Sequence, residues 1–96
     1  MRKLKNITVG EILLEEFLKP LSISQNKLAR DTKVPPRRIN EIVLNKRSVT
    51  PDTSVRLAKY FNVSDSFFLG LQNDYDIEAE KKKIRDELLY IRPAFS

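Results

Sequence analysis

The sequence predicts an all-α fold of five helices. Cap residues and prolines stand at intervals along the chain, and between them apolar residues recur every three or four positions. No segment has the strict alternation of a strand, with one open case in "LLYIRPAF" at residues 88–95. A chain of 96 residues has the length of one small domain, which favours compact helix packing, dimerisation or both.

The first three helices are predicted from their starts. Thr8 and Glu11 have the spacing of a capping box, and the helix that follows is expected to end before Pro20. Its apolar stripe consists of Ile12, Leu13, Phe17 and Leu18. Ser24 is the N-cap candidate of the second helix, and the third starts at Pro36, because proline is favoured at a first helical position.

The second half of the chain follows the same pattern. Residues 50–52 (Thr-Pro-Asp) start a fourth helix, and Ser64-Asp65 is expected to cap a fifth. The pattern of residues 73–96 predicts one helix, or two halves with a break near Asn73–Asp74. The helix is expected to end at Pro93. The apolar stripe in this last segment is thin, which indicates contact with a partner surface.

The excess of positive charge lies in one segment. The net charge is +5, and residues 20–50 hold seven basic residues against Asp31 and Glu41. A localised basic patch suits a polyanionic partner better than an even distribution would. A basic face that is merely solvated stays open as the alternative.

The composition argues against catalysis. The chain has no His and no Cys, which excludes disulfides, thiolate zinc sites and histidine chemistry. Its two glycines, Gly10 and Gly70, form no phosphate-binding loop, and no carboxylates converge on a motif. A small basic ribonuclease is therefore disfavoured, and we predict no enzyme, no cofactor and no metal site. No apolar run approaches the roughly 20 residues that cross a bilayer, so a cytoplasmic location is expected.

Residues 25–42 fit the steric pattern of a helix-turn-helix. With Gln25 as the first position, the small residue Ala29 falls where the two helix backbones approach closely, and Thr32 takes a further inward position. The predicted core-facing residues are Leu28, Val34, Ile39 and Ile42. The turn position, which is usually Gly because it needs a positive φ, is Lys33. The alternative is that these residues form the plain core of a bundle that binds no DNA.

Roles for the polar residues follow from this motif. The helix from Pro36 would enter the major groove, where Arg37 and Arg38 can pair with guanine and Asn40 with adenine. Glu41 could accept from a cytosine amine or orient an arginine. Gln25 would bind phosphate at a helix N-terminus, and the loop after the recognition helix would hold the DNA backbone. The predicted DNA-binding set is Gln25, Asn26, Pro36, Arg37, Arg38, Asn40, Glu41, Lys46 and Arg47.

The chain from about Gly10 to Glu78 resembles the HigA family of antitoxins, also described as virulence-associated protein I-like. The segments that carry the resemblance are "GEILLEEFL", "PPRRINEIV", "KR", "DTSVRLAKYF" and "LQNDYD". The chain departs from the family pattern in two places: Lys33 replaces the usual turn glycine, and Leu44-Asn45 stands where many relatives carry Asn-Gly. Asn45 is therefore expected to supply the left-handed residue that ends the helix.

The resemblance implies a five-helix lambda-repressor-like, Xre-type DNA-binding domain at residues 1–72. A helical extension at residues 73–96 would serve dimerisation or partner contact. It implies a cytoplasmic homodimer that represses its own promoter and neutralises a HigB-like toxin, an mRNA endonuclease. The implied dimer residues are Phe67, Phe68, Leu71 and Tyr75. A stand-alone repressor without a toxin stays open, as does an interaction module that never touches DNA.

Overall fold

The structure, a computed structural model, describes residues 6–95. Within this range the chain forms six helices and no strand. The helices are α1 (residues 9–21), α2 (Gln25–Thr32), α3 (Pro36–Val43), α4 (Pro51–Phe61), α5 (Phe67–Lys83) and α6 (Arg85–Leu88). The all-α prediction is confirmed, with one helix more than the five expected. No helix in the described range is long and apolar enough to cross a membrane.

Helix α1 continues through Pro20, so the prediction that it ends before this proline is wrong. It consists of Val9–Ile12, the π-helical stretch Leu13–Leu18 and Lys19–Leu21. In a regular helix a proline ring collides with the carbonyl four residues earlier. The wider π turns, in which the Lys19 N–H donates to the carbonyl of Leu14, accommodate the ring. The helix ends at Ser22, whose φ of 55° is left-handed.

The predicted N-caps of α1, α2 and α4 are confirmed. The side chains of Thr8, Ser24 and Thr50 each accept the backbone N–H three residues later, at 3.0, 3.0 and 3.5 Å. The Glu11 carboxylate accepts the Thr8 N–H at 3.4 Å, which completes the capping box. These bonds occupy N–H groups that a helix start otherwise leaves unpaired, and they fix where each helix begins.

The inner faces of α2 and α3 meet in the core as the helix-turn-helix pattern predicts. The buried residues of this pair are Leu28, Ala29, Val34, Ile39 and Ile42. Thr32 is also buried, and its hydroxyl donates to the Leu28 carbonyl at 2.6 Å, so this polar group is satisfied. Helices α1, α4 and α5 close the core around the pair with Leu13, Leu18, Leu57 and Phe68.

The turn between α2 and α3 contains the non-glycine left-handed residue expected there. Lys33 has a φ of 62° and a ψ of 34°. The N–H of Val34 donates to the Ala29 carbonyl at 3.1 Å and closes the end of α2. A side chain in this region costs roughly 1 kcal/mol relative to glycine.

Replacing Lys33 with Gly is expected to raise the free energy of unfolding by about 0.5–1 kcal/mol, because glycine adopts this φ without strain. Chemical denaturation measures the change. Lys33→Ala is the matched control, since it removes the same charge and keeps the strain. Equal stability of the two variants would contradict the expectation.

The start of α5 is capped by another helix rather than by its own sequence. The predicted cap at Ser64-Asp65 is wrong, because α5 begins at Phe67 and makes no side-chain cap bond of its own. Instead, the buried Ser54 of α4 donates its hydroxyl hydrogen to the Asp65 carbonyl at 2.7 Å. Its oxygen also accepts the Leu69 N–H at 3.1 Å. One hydroxyl therefore joins α4 to the first turn of α5.

Helix α5 runs without interruption across the predicted break near Asn73–Asp74. The interruption lies instead at Ile84, where φ is −110° and α6 begins. The boundary expected between residues 72 and 73 therefore falls inside one helix. Residues 89–95 contain neither helix nor strand, so "LLYIRPAF" is not a strand, and α6 ends before Pro93.

Candidate nucleic-acid interface

Helix α3 presents a polar face to solvent because its apolar seam is buried. Ile39 and Ile42 are inaccessible on the inner side. On the outer side Pro36 and Asn40 are exposed, and the Arg37 side chain is 88% exposed. The exposed face of the helix therefore carries Arg37 and Asn40, whose side chains can donate to base edges.

The orientation of α3 depends on a glycine in α1. A Cβ added at Gly10 would overlap the carbonyl oxygen of Ile42 and lie 2.5 Å from that of Val43. No side chain fits between these backbones, so the first turn of α1 packs directly on the last turn of α3. Gly10 thus determines how closely the two helices approach.

A side-chain hydrogen bond links the middle of α3 to the start of α2. Asn40 Nδ2 on α3 donates to Gln25 Oε1, the first residue of α2, at 3.3 Å. The bond aligns the amide of Asn40 on the exposed face. It also places Gln25 beside the recognition helix, at a helix N-terminus suited to a phosphate.

Glu41 holds two arginines on this surface. Its two carboxylate oxygens accept from Arg37 Nε at 3.2 Å and from Arg47 Nε at 2.8 Å. The side chain of Glu41 is only 22% exposed, whereas Arg47 is half exposed. The hydrogen bond from Arg47, followed by that from Arg37, holds the pKa of Glu41 below its ordinary value. The carboxylate therefore links α3 to the loop that follows it.

Arg38 is directed towards α4 rather than towards Glu41. Its Nη1 lies 3.8 Å from Asp52 Oδ2, a loose pair on the surface. Asp52 also accepts from Arg56 Nε at 3.1 Å, and Arg56 Nη1 donates to the Thr32 carbonyl at 3.1 Å. Asp52 is thus shared between two arginines, and its bond to Arg56 is the closer one.

The loop of residues 44–50 carries Lys46 and Arg47, and two residues of α5 hold it at both ends. At its start, Asn45 has a φ of 59°, which confirms the predicted left-handed residue. Asn45 Nδ2 donates to the hydroxyl oxygen of Tyr75 at 3.2 Å. At its end, the N–H of Val49 donates to Gln72 Oε1 at 3.0 Å.

Comparisons with known proteins agree with this geometry. A family model described as "Helix-turn-helix" matches residues 14–68. Virulence-associated protein I of Dichelobacter nodosus is 47% identical over 75 residues, which cover 77% of this chain and 69% of that protein. An addiction module antidote protein of a HigA family from Coxiella burnetii has a TM-score of 0.86 at 37% identity, covering 94% of this chain and 99% of that one. The chain belongs to the HigA family of helix-turn-helix proteins.

A further structure similar to this HigA-family chain was solved with DNA. The Pseudomonas aeruginosa antitoxin HigA, with the higBA promoter, has a TM-score of 0.87 at 34% identity. The match covers 95% of this chain and 100% of that one.

The HigA-family chain brings several of the predicted DNA-binding residues into contact. Gln25 is joined to Asn40, and Arg37 and Arg47 are joined to Glu41. A shallow depression of the helix-turn-helix is lined by both Asn26 and Pro36, together with Ala29, Arg30, Lys33, Val34 and Pro35. Lys46 is exposed in the loop, and Arg38 lies apart beside α4. Their roles in binding stay predictions.

The four residues predicted for a HigA dimer differ in accessibility. Phe68 is fully buried, with ring centroids 5.2 Å from Phe17 and 5.0 Å from Phe67. Its side chain therefore belongs to the core of one chain and has no surface left for a second copy. Phe67, Leu71 and Tyr75 are half-buried, and their place in a dimer interface stays a prediction.

The pKa of Glu41 yields a pH-dependent expectation. Because the pKa of Glu41 is lower in the folded state, the charged carboxylate stabilises the fold at any pH above the ordinary pKa of 4.5. This contribution to the free energy of unfolding is lost as the pH falls through the lowered pKa. Replacing Arg47 with Ala is expected to raise the pKa of Glu41, because it removes the hydrogen bond that lowers this pKa most. Carboxyl titration by NMR measures it, and Arg37→Ala should give a smaller rise. An unchanged pKa in the Arg47 variant would contradict the assignment.

Three residues that shape this site have no signal in the sequence pattern. Gly10 looks like an ordinary residue in a first helical turn, Ser54 like a polar residue in a helix, and Gln72 like part of a solvated face. Each acts on a backbone group distant in sequence: Gly10 on α3, Ser54 on the start of α5, and Gln72 on the loop. Local periodicity contains no information about such contacts.

Proposed function

We propose that this chain is the antitoxin of a type II toxin–antitoxin pair. It binds operator DNA as a dimeric transcriptional repressor and neutralises a HigB-like mRNA endonuclease. The observation that carries the DNA-binding part is the exposed face of α3, with Arg37 accessible and Asn40 aligned by Gln25. The HigA family membership supports the antitoxin role. The similar Pseudomonas aeruginosa antitoxin solved with promoter DNA supports the binding of operator DNA.

The dimensions of the recognition helix suit the major groove. Helix α3 has eight residues, so it is about 12 Å long, and a helix of about 10–12 Å diameter enters a groove about 12 Å wide. In this proposal Arg37, Arg38 and Asn40 contact base edges, with Arg38 leaving Asp52 to do so. Glu41 orients the arginines or accepts from a base, and Pro36 fixes the helix start.

Phosphate contacts would come from both sides of α3. Gln25 and Asn26 stand in the first turn of α2, where backbone N–H groups favour an anion. Lys46 and Arg47 stand in the loop after α3. Such contacts release counterions, so the affinity should fall steeply with salt.

A homodimer would bind an operator that has the same two-fold symmetry as the protein. Two recognition helices related by a two-fold axis would read half-sites about 34 Å apart, one turn of DNA, in a palindrome. In this proposal residues 1–72 bind DNA, and the extension 73–96 serves dimerisation or partner contact, with Phe67, Leu71 and Tyr75 at the dimer surface. The expected compartment is the cytoplasm.

A gel-shift with the chain's own promoter, performed over a range of salt, tests the proposal. A specific, salt-sensitive complex is expected, while its absence would favour an interaction module that never touches DNA. Co-expression with the product of the neighbouring gene tests the antitoxin role, because an antitoxin restores growth when that gene is induced. A complex without rescue would favour the alternative of a stand-alone repressor.

A further inference from the structure

The loop of residues 44–50 is held in part by contacts from outside the DNA-binding motif. Its own sequence supplies the left-handed turn at Asn45 and the buried side chain of Val49. Glu41 of α3 holds the Arg47 side chain at 2.8 Å. Two further anchors come from α5, more than 20 positions further along the chain. Gln72 accepts the Val49 N–H, and Tyr75 accepts from the Asn45 side chain.

Gln72 has the properties of a residue placed for this bond. It is only 6% exposed, and both ends of its amide are used. Its oxygen accepts from Val49 at 3.0 Å, and its Nε2 donates to Asp76 Oδ1, one helical turn later, at 3.0 Å. The bond to Asp76 fixes which end of the amide faces the loop, because a carboxylate can only accept.

Tyr75 attaches the same stretch of α5 to the start of the loop and to Asn6. Its hydroxyl oxygen accepts from Asn45 at 3.2 Å, and its backbone carbonyl accepts from Asn6 Nδ2 at 3.0 Å. The segment of α5 from Gln72 to Asp76 thus contacts the loop at its start and at its end. Between these two anchors lie the exposed Lys46 and Arg47.

We infer that Gln72, oriented by Asp76 and assisted by Tyr75, is a positioning residue for DNA binding: it holds the loop so that Lys46 and Arg47 face the phosphates beside the recognition helix. It touches no DNA itself. The inference rests on the proposed function, since it concerns the phosphate contacts of that same site. Without these bonds Arg47 would keep its bond to Glu41, but the loop backbone that carries both cations would no longer be fixed.

The test compares operator binding by Gln72→Leu and by wild type over a range of salt. We expect the variant to bind about tenfold or more weakly, with a slope of log affinity against log salt that is shallower by roughly one to two units, as for two lost phosphate contacts. Combining it with Lys46→Ala and Arg47→Ala should add little, because the contacts it positions are already gone. Tyr75→Phe should give a smaller change in the same direction.

Exchanging the amide and the carboxylate between positions 72 and 76 is expected to restore operator binding. Gln72→Glu alone places a second carboxylate beside Asp76 and should weaken binding, whereas Gln72→Glu with Asp76→Asn restores it. In the double variant the carboxylate at position 72 accepts from the Val49 N–H and from the amide at position 76, so the loop is held as before. A purely structural loss would lower the melting temperature without changing the salt slope. All binding is therefore measured below the unfolding midpoint of each variant.

Hydrogen exchange at the Val49 amide separates this inference from the proposed function. The amide should be protected in the wild type, exchange about tenfold faster or more in Gln72→Leu, and be protected again in the double variant. A wild type with a protected amide but no promoter complex overturns the proposed function, and the bond from Gln72 to the loop stands. A wild type that binds, with an unchanged affinity and salt slope in Gln72→Leu, overturns the positioning role.

Discussion

Replacing Arg37 and Arg38 together with Ala is expected to abolish specific operator binding. Each bidentate pair between an arginine and a guanine is worth about 1–3 kcal/mol, so losing two lowers the specific affinity by about 30-fold to about 20,000-fold. The loss should concern sequence discrimination most, because these side chains belong to the exposed first turn of α3. Competition between the operator and a scrambled duplex measures it.

The fold should survive this double substitution. Both arginines form surface pairs, at 3.2 Å from Glu41 and at 3.8 Å from Asp52, and such pairs contribute about 0–1 kcal/mol each. Lys81→Ala with Lys82→Ala is the matched control, since it removes the same charge from the last turn of α5. Unchanged discrimination in the arginine variant would overturn the assignment of α3 as the reading helix.

Replacing Gly10 with Ala is expected to destabilise the protein by about 1–3 kcal/mol, the range found for overpacked cores. The added methyl group meets backbone carbonyls of α3 rather than a flexible side chain, so no rotamer change can relieve the overlap. Separating α1 from α3 should also tilt the recognition helix. Operator affinity is therefore expected to fall even at temperatures where the variant is folded. Denaturant unfolding and a gel-shift on the same sample measure both effects.

Gly70→Ala is the matched control for this substitution. Gly70 lies inside α5, and a Cβ added there meets nothing within 4 Å. Alanine is favoured over glycine in a helix interior by roughly 0.5–1 kcal/mol, so this variant should be slightly more stable than the wild type. If both alanine variants behaved alike, the close approach at Gly10 would not be what limits the packing of α1 on α3.

The helix-turn-helix was predictable because its requirements are local. The burial of Leu28, Ala29 and Ile39 follows from their spacing, and the left-handed conformations of Lys33 and Asn45 follow from where the helices must end. All of these constraints act within about twenty residues. A pattern of that length can be recognised without knowing what packs against it.

The predictions from sequence were wrong where a helix end or a buried side chain depends on structure that the local pattern does not show. Pro20 is tolerated because π turns widen α1, and Ser54 supplies the cap that Ser64-Asp65 was expected to provide. Phe68 is buried against Phe17, a contact across more than half the chain that periodicity cannot reveal. The candidate site was found through its exposed cations and Glu41, whereas Gly10 and Gln72, which act from outside the motif, were not.

The continuity of α5 limits how proteins of this kind can be recombined. A chimera joined at residues 72–73, where the sequence changes character, would take Gln72 from one parent and Tyr75 and Asp76 from the other. The loop beside the recognition helix would then depend on a mismatched set of anchors. A join beyond Asp76 keeps the set intact, so the exchangeable unit extends at least one helical turn past the apparent border.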